Sequence, residues 1–127
     1  MIRIITDSTS DITRAQAQAM GIDVVPLSVL FGEESFLDGV EITHEEFYRR
    51  LETVDKLPTT AQVPPEKFIQ LFRSYVNAGD EVVGLFLSAE LSGTCQSAHI
   101  ARNVVGEERI FVVDSRTVTF GLGLMVR

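Results

Sequence analysis

A single cysteine, Cys95, stands in the whole chain, and tryptophan is absent. One thiol can close no internal disulfide and cannot supply the paired cysteines of a zinc site. Cationic residues are scarce as well: 11 Lys and Arg oppose 18 Asp and Glu, for a net charge of −7 with both histidines neutral. That balance argues against a nucleic-acid partner, which needs clustered Lys and Arg to neutralise phosphates. No apolar run approaches the roughly 20 residues that cross a bilayer, so stable membrane insertion is not expected. The start, Met1-Ile2-Arg3-Ile4-Ile5-Thr6-Asp7, lacks the long apolar centre and cleavage site of a signal peptide. A soluble, cytoplasmic protein is the expectation. Nucleotide motifs are missing too: there is no G-x-x-x-x-G-K-[ST] loop, and Gly121-Leu122-Gly123 is not followed by the third glycine of a dinucleotide fingerprint. Ser92 lacks the G-x-S-x-G elbow of the hydrolases.

What is present is an alternation of strand-like and helix-like segments. At 127 residues, 45% hydrophobic and 23% charged, the chain has the size and composition of one globular domain. The apolar run over 82–87 reads as a strand buried on both faces. Shorter strands are expected over 2–5 and 110–113, and 24–31 reads as extended, with Pro26 marking an edge or an irregularity. Ser10 or Asp11 is expected to cap a helix that reaches Met20 and stops at Gly21. Thr43 and Glu46 have the spacing of a capping box, with Ile42 and Phe47 at the staple positions. Residues 58–65 read as a Pro- and Thr-rich loop, and Pro65 opens a helix with Phe68, Leu71, Phe72 and Tyr75 on one face. Ser92 is expected to cap a helix over 92–105 whose apolar positions include Cys95, Ala98, Ala101 and Val105. The last segment, over 117–127, is apolar and suggests a chain ending inside a helix of something larger. The pattern predicts an α/β domain, a mostly parallel sheet with helices on both faces.

Ligands of open parallel sheets bind outside the carboxyl ends of the strands, where loops and helix N-termini gather. Three strands here deliver polar residues to that edge: Thr6-Asp7-Ser8-Thr9-Ser10-Asp11, Ser88 with Ser92-Gly93-Thr94, and Asp114-Ser115. Unpartnered amides at a helix start favour an anion, either a carboxylate or a phosphate. A different chemistry is open to the same edge: Asp7, Asp11 and Asp114 could hold Mg²⁺ for phosphoryl transfer. Equally, Asp7 and Asp114 could simply accept backbone N–H bonds and shape their turns. His44 and His99 read as structural or surface residues, since neither is placed to serve Ser92 as a base.

Four motifs occur together: Asp7-Ser8-Thr9-Ser10-Asp11; Pro58-Thr59-Thr60-Ala61-Gln62; Leu91-Ser92-Gly93-Thr94-Cys95-Gln96-Ser97-Ala98; and Val113-Asp114-Ser115 with Gly121-Leu122-Gly123. In that order and spacing the chain resembles the DegV family of fatty-acid-binding proteins, whose characterised role is the binding subunit of a bacterial fatty acid kinase. The resemblance implies two α/β domains with one fatty acid between them. Residues 1–127 would be the first domain only, with the second absent. It implies that Thr60 and Ser92 hold the acyl carboxylate, with Thr59, Gly93, Thr94, Ser8, Ser88, Asp114 and Ser115 in support. It further implies no metal, no cofactor and no catalysis by this chain. The partners would be a long-chain fatty acid and a kinase catalytic subunit that supplies ATP and phosphorylates the bound acid. Departures from the family pattern fall at Ala61 and Val63, where the loop usually reads Thr-Ser-Gln-Pro, and at Cys95, where Tyr is common. A domain that normally forms one wall of a lipid tunnel is also expected to expose apolar surface and to form homodimers through it. A third reading is a domain that serves only as a structural or interaction module.

Overall fold

In the computed structural model, which describes residues 1–127, strands and helices alternate as the pattern predicts. The chain runs β1 (Ile2–Asp7), a 3-10 turn (Ser8–Ser10), α1 (Arg14–Met20), β2 (Asp23–Val25), β3 (Ser28–Phe31) and β4 (Glu34–Leu37). It continues through α2 (His44–Leu51), β5 (Thr59–Ala61), α3 (Pro65–Asn77), β6 (Glu81–Phe86), α4 (Thr94–Val105), β7 (Ile110–Asp114) and α5 (Thr119–Val126). Four strands make a parallel sheet in the order β2-β1-β6-β7. The α/β class is therefore the observed one. No helix is long and apolar enough to cross a membrane.

Strand alternation sends Ile5, Val82, Phe86 and Ile110 to one face of this sheet. There they meet Phe68 and Phe72 of α3 and Cys95, Ala98 and Ala101 of α4 in the main core. The small residues of α4 let that helix lie close to the sheet, while Phe68 fills the space beside Phe86 edge-on, with ring centres 5.0 Å apart. Each such buried Phe contributes roughly 1.5–3 kcal/mol relative to exposure. The opposite face carries Ile2, Phe111 and Val113, which stay exposed. Thr6 on that face is buried, and its hydroxyl has no hydrogen-bond partner.

Two strands, β4 and β5, escaped the sequence reading, and two others were read as one. The extended stretch over 24–31 is two strands, interrupted around Pro26: β2 closes the parallel sheet, whereas β3 starts a separate antiparallel sheet ordered β4-β3-β5. Proline has no N–H for a ladder, so the break falls there. β4 and β5 are only 4 and 3 residues long, and β5 lies within the expected loop. This small sheet has its own core of Val29, Phe31 and Ile42, with Phe47 packed against it. The staple pair Ile42 and Phe47 thus anchors α2 as expected.

The helix starts differ in detail. α1 is capped by Thr13, and neither Ser10 nor Asp11 does so: Thr13 Oγ1 accepts from Gln16 N at 3.2 Å while Thr13 N donates to Gln16 Oε1 at 2.9 Å. Ser10 sits in the 3-10 turn, and Asp11 has φ of 56°, left-handed, where a cap needs extended backbone. For α2, Thr43 Oγ1 accepts from Glu46 N at 3.1 Å, but the Glu46 side chain does not return the bond. α4 has Gly93 at the cap, with Ser92 one residue outside.

Candidate functional site

The carboxyl ends of β1, β6 and β7 lie side by side, and their polar residues are bound to the loops that leave them. Asp7 is buried. Its Oδ2 accepts from Leu87 N at 2.9 Å, and its Oδ1 accepts from Thr9 N at 2.8 Å and Thr9 Oγ1 at 2.5 Å. Burial pushes the Asp7 carboxyl above its ordinary value, although all three hydrogen bonds pull the other way. Ser8 Oγ accepts from Leu27 N at 3.0 Å. Asp114 Oδ1 accepts from Ala89 N at 3.2 Å and Arg116 N at 3.0 Å. Ser88 Oγ accepts from Glu90 N at 3.2 Å, and Ser115 Oγ donates to Phe86 O at 2.6 Å. These residues build the rim, and their bonds are internal. Asp11, beyond them, accepts from Thr119 Oγ1. No three His, Cys, Asp or Glu side chains come together in a set able to hold a metal ion. The reading of Asp7, Asp11 and Asp114 as an Mg²⁺ centre is corrected accordingly.

A tighter arrangement forms where α4 begins. Ser92 Oγ accepts from Thr94 N at 3.2 Å and lies 3.0 Å from Thr94 Oγ1. Thr94 is fully buried and also accepts from Val63 N at 3.3 Å. That bond ties the turn of Ser92 to the loop that carries Thr59 and Thr60. One residue earlier in that loop, Gln62 Nε2 donates to Ser97 Oγ at 3.4 Å. Thr60 is held through β5, where it pairs with Val29 of β3. Thr59 and Thr60 are exposed and Ser92 is half-buried. No hydrogen bond joins Thr60 to Ser92 directly; the two loops meet through Gln62, Val63 and Thr94.

Gly93 leaves room for the side chain of Gln62. Its φ of −79° and ψ of 4° are open to any residue, so conformation does not demand glycine here. A Cβ there would lie 1.9 Å from Gln62 Oε1 and 2.7 Å from Gln62 Cδ. The contact of Gln62 with Gly93 was not readable from the sequence because it spans 31 positions. The one sequence signal was its place at the end of the Pro58-Thr59-Thr60-Ala61-Gln62 motif, two residues after Thr60.

Cys95 follows Thr94 in the first turn of α4, and burial pushes its thiol up to about 11, with the charges of Asp114 and Asp7 adding to the effect. It packs in the core as a small apolar group and is no nucleophile at neutral pH. His44 is exposed in the first turn of α2, and His99 is half-buried on α4; neither hydrogen-bonds Ser92, whose partner is Thr94. A cleft of about 740 Å³ opens elsewhere, between α1 and the segment leading into α2, lined by Ile12, Ala17, Val24 and His44 among others. Of the expected site residues only Ser8 reaches it.

A family model described as "Uncharacterised protein, DegV family" matches residues 1–127. A DegV domain-containing protein of Clostridium perfringens is 46% identical over 125 residues, covering 98% of this chain and 45% of its own length. One from Caldanaerobacter subterraneus is 44% identical over 125 residues, with 98% and 44% covered. Among solved structures, a fatty acid (stearic acid)-binding protein from Eubacterium ventriosum superposes with a TM-score of 0.92 at 35% identity, covering 99% of this chain and 45% of the other. A fatty-acid-binding DegV family protein from Thermus thermophilus gives a TM-score of 0.88 at 37% identity, covering 98% and 44%. The chain thus spans less than half the length of these relatives.

Proposed function

This chain belongs to the DegV family, and on that premise we propose that it forms the carboxylate-gripping part of a fatty-acid-binding protein. The observation that carries the reading is the clasp at the start of α4, where the turn of Ser92 is tied through Thr94 to the loop of Thr60. Thr94 Oγ1 accepts from Val63 N, so its proton is free for Ser92 Oγ. Ser92 then keeps its own proton for an incoming carboxylate. Thr60 supplies a second hydroxyl from the facing loop, and the first amides of α4 add dipole support. Asp7, Ser8, Ser88, Asp114 and Ser115 shape the rim; Thr59 and Gly93 flank the grip.

Hydroxyl and amide donors hold a carboxylate without neutralising it as an Arg would, so an oxygen stays nucleophilic toward a phosphoryl donor. The chain has no phosphate-binding loop of its own. A separate cytoplasmic kinase subunit bringing ATP completes this proposal, and this chain presents the acid without catalysing its reaction. The acyl tail contributes about 0.8 kcal/mol per buried methylene, and it needs apolar walls on more than one side to compete with a membrane. Those walls lie between this unit and a second one, in keeping with relatives of roughly twice its length.

Native mass spectrometry of the natural gene product, purified from cells, tests the reading. A retained mass of one long-chain acid is expected. A protein that carries no acid and takes up neither palmitate nor oleate overturns it.

A further inference from the structure

Two hydroxyls from distant parts of the chain grip one carboxylate only if their loops keep a fixed separation. Resting on the carboxylate-binding reading, we propose that Gln62 is the residue that sets it: its amide, laid across the bare α-carbon of Gly93, spaces Thr60 from Ser92. Ala61 is the last rung of the β5 ladder, opposite Ser28. Val63 is already in the core and bonded to Thr94. Gln62 is the single junction between these fixed points, and its side chain crosses to the other loop.

Two contacts define the crossing. The amide occupies the volume that a Cβ on Gly93 would need, 1.9 Å from Gln62 Oε1. Its far end donates to Ser97 Oγ at 3.4 Å, and Ser97 is buried one turn into α4. The hydrogen bond is long and Gln62 is itself exposed, so the side chain adds little to stability. Its effect is on spacing, which makes it a positioning residue and separates its signature from that of a core residue.

The test uses the natural gene product, with oleate and palmitate affinity and melting temperature read for each variant. Gln62→Ala weakens oleate binding roughly tenfold, the scale expected when a grip loosens by a fraction of an ångström, and leaves the melting temperature unchanged. Gln62→Met, which keeps bulk over Gly93, recovers most of the affinity. Gly93→Ala, which must push the amide aside, loses affinity like Gln62→Ala, and the double variant loses no more than either single one. Should Gly93→Ala fail to fold, the Gln62→Ala and Gln62→Met pair decides alone. Wild-type affinity in Gln62→Ala, or a loss accompanied by a matching drop in melting temperature, overturns the positioning role. A wild-type protein that binds neither acid overturns the carboxylate-binding reading itself, and this role with it.

Discussion

Residues at the sheet edge divide into those that build and those proposed to meet the ligand. Asp7 builds: buried and triply hydrogen-bonded, it joins the start of the 3-10 turn to the end of β6. Its sequence context, Asp followed by Ser and Thr, read equally as a metal ligand or a turn former, and only the positions of Leu87 and Thr9 separate the two. Because the folded carboxyl titrates above its ordinary value of 3.8, the folded state binds the proton more tightly than the unfolded chain does. Its contribution is therefore full below 3.8 and is lost as pH rises through the raised folded value. Asp7→Asn removes this slope but turns an amide donor toward a backbone N–H, so it destabilises by about 1–3 kcal/mol at neutral pH. Urea melts of both proteins from acid to neutral pH check both parts. Ser92 is half-buried and Thr60 exposed, and the proposed function gives both hydroxyls to the ligand. Losing a hydrogen bond to a charged ligand costs about 1.5–3 kcal/mol of affinity, so Ser92→Ala weakens fatty acid binding by that much. Its stability cost is smaller than a cap deletion, since Gly93 holds the cap position. Thr60→Ala and Ser92→Ala are expected to couple in a double-mutant cycle on fatty acid affinity. Strict additivity would separate the two hydroxyls.

At the scale of elements, legibility followed the strength of local chemistry. α3 was readable because Pro65 opens it and its apolar side chains repeat with helical period; both signals lie within a few residues. Its start and the staple of α2 were found where expected. β4 and β5 were not, because strands of 4 and 3 residues gain their hydrogen bonds from partners elsewhere in the chain and leave little periodicity. The proposed grip was named by resemblance at Ser92 and Thr60, whereas the contact of Gln62 with the start of α4 emerged only once α4 and β5 were brought together. The α5 element shows how the same residue type differs between neighbours. A Cβ at Gly123 would lie 2.6 Å from the Ser10 carbonyl oxygen, a backbone atom that cannot turn aside. A Cβ at Gly121 meets Thr117 Oγ1 at 2.5 Å, a side chain that can rotate. Gly123→Ala therefore destabilises by about 1–3 kcal/mol through overpacking. Gly121→Ala stays near neutral, because a helical propensity gain of about 1 kcal/mol offsets the rotation of Thr117. Denaturation midpoints of the two variants measured side by side check the contrast.

At the scale of the whole molecule, the two faces of the parallel sheet are treated unequally. α3 and α4 bury one face around Phe68, Phe72 and Phe86. The other keeps Ile2 at 61%, Phe111 at 50% and Val113 at 38% exposure, and α5 adds Phe120 at 65%, Leu124 at 57% and Met125 at 48%. The α/β class was legible from the alternation of strands and helices, and exposed apolar surface was expected from the resemblance; that a sheet face would carry it was not, since periodicity reports which face is apolar and not whether anything covers it. Contiguous exposed apolar surface beyond a few hundred Å² marks an interface or an association liability. A net charge of −7 favours keeping copies apart at low ionic strength, and screening by salt removes that opposition over about 10 Å at 0.1 M. The 127-residue chain expressed alone is expected to self-associate, more strongly as salt rises, the reverse of an interface held by ion pairs. Sedimentation at several protein and salt concentrations checks this. Phe111→Lys, placed at an exposed strand position, shifts the distribution toward monomer without lowering the melting temperature of the dilute protein. A persistent monomer with no dye-accessible apolar surface would mean that the exposed residues lie too far apart to act as one patch.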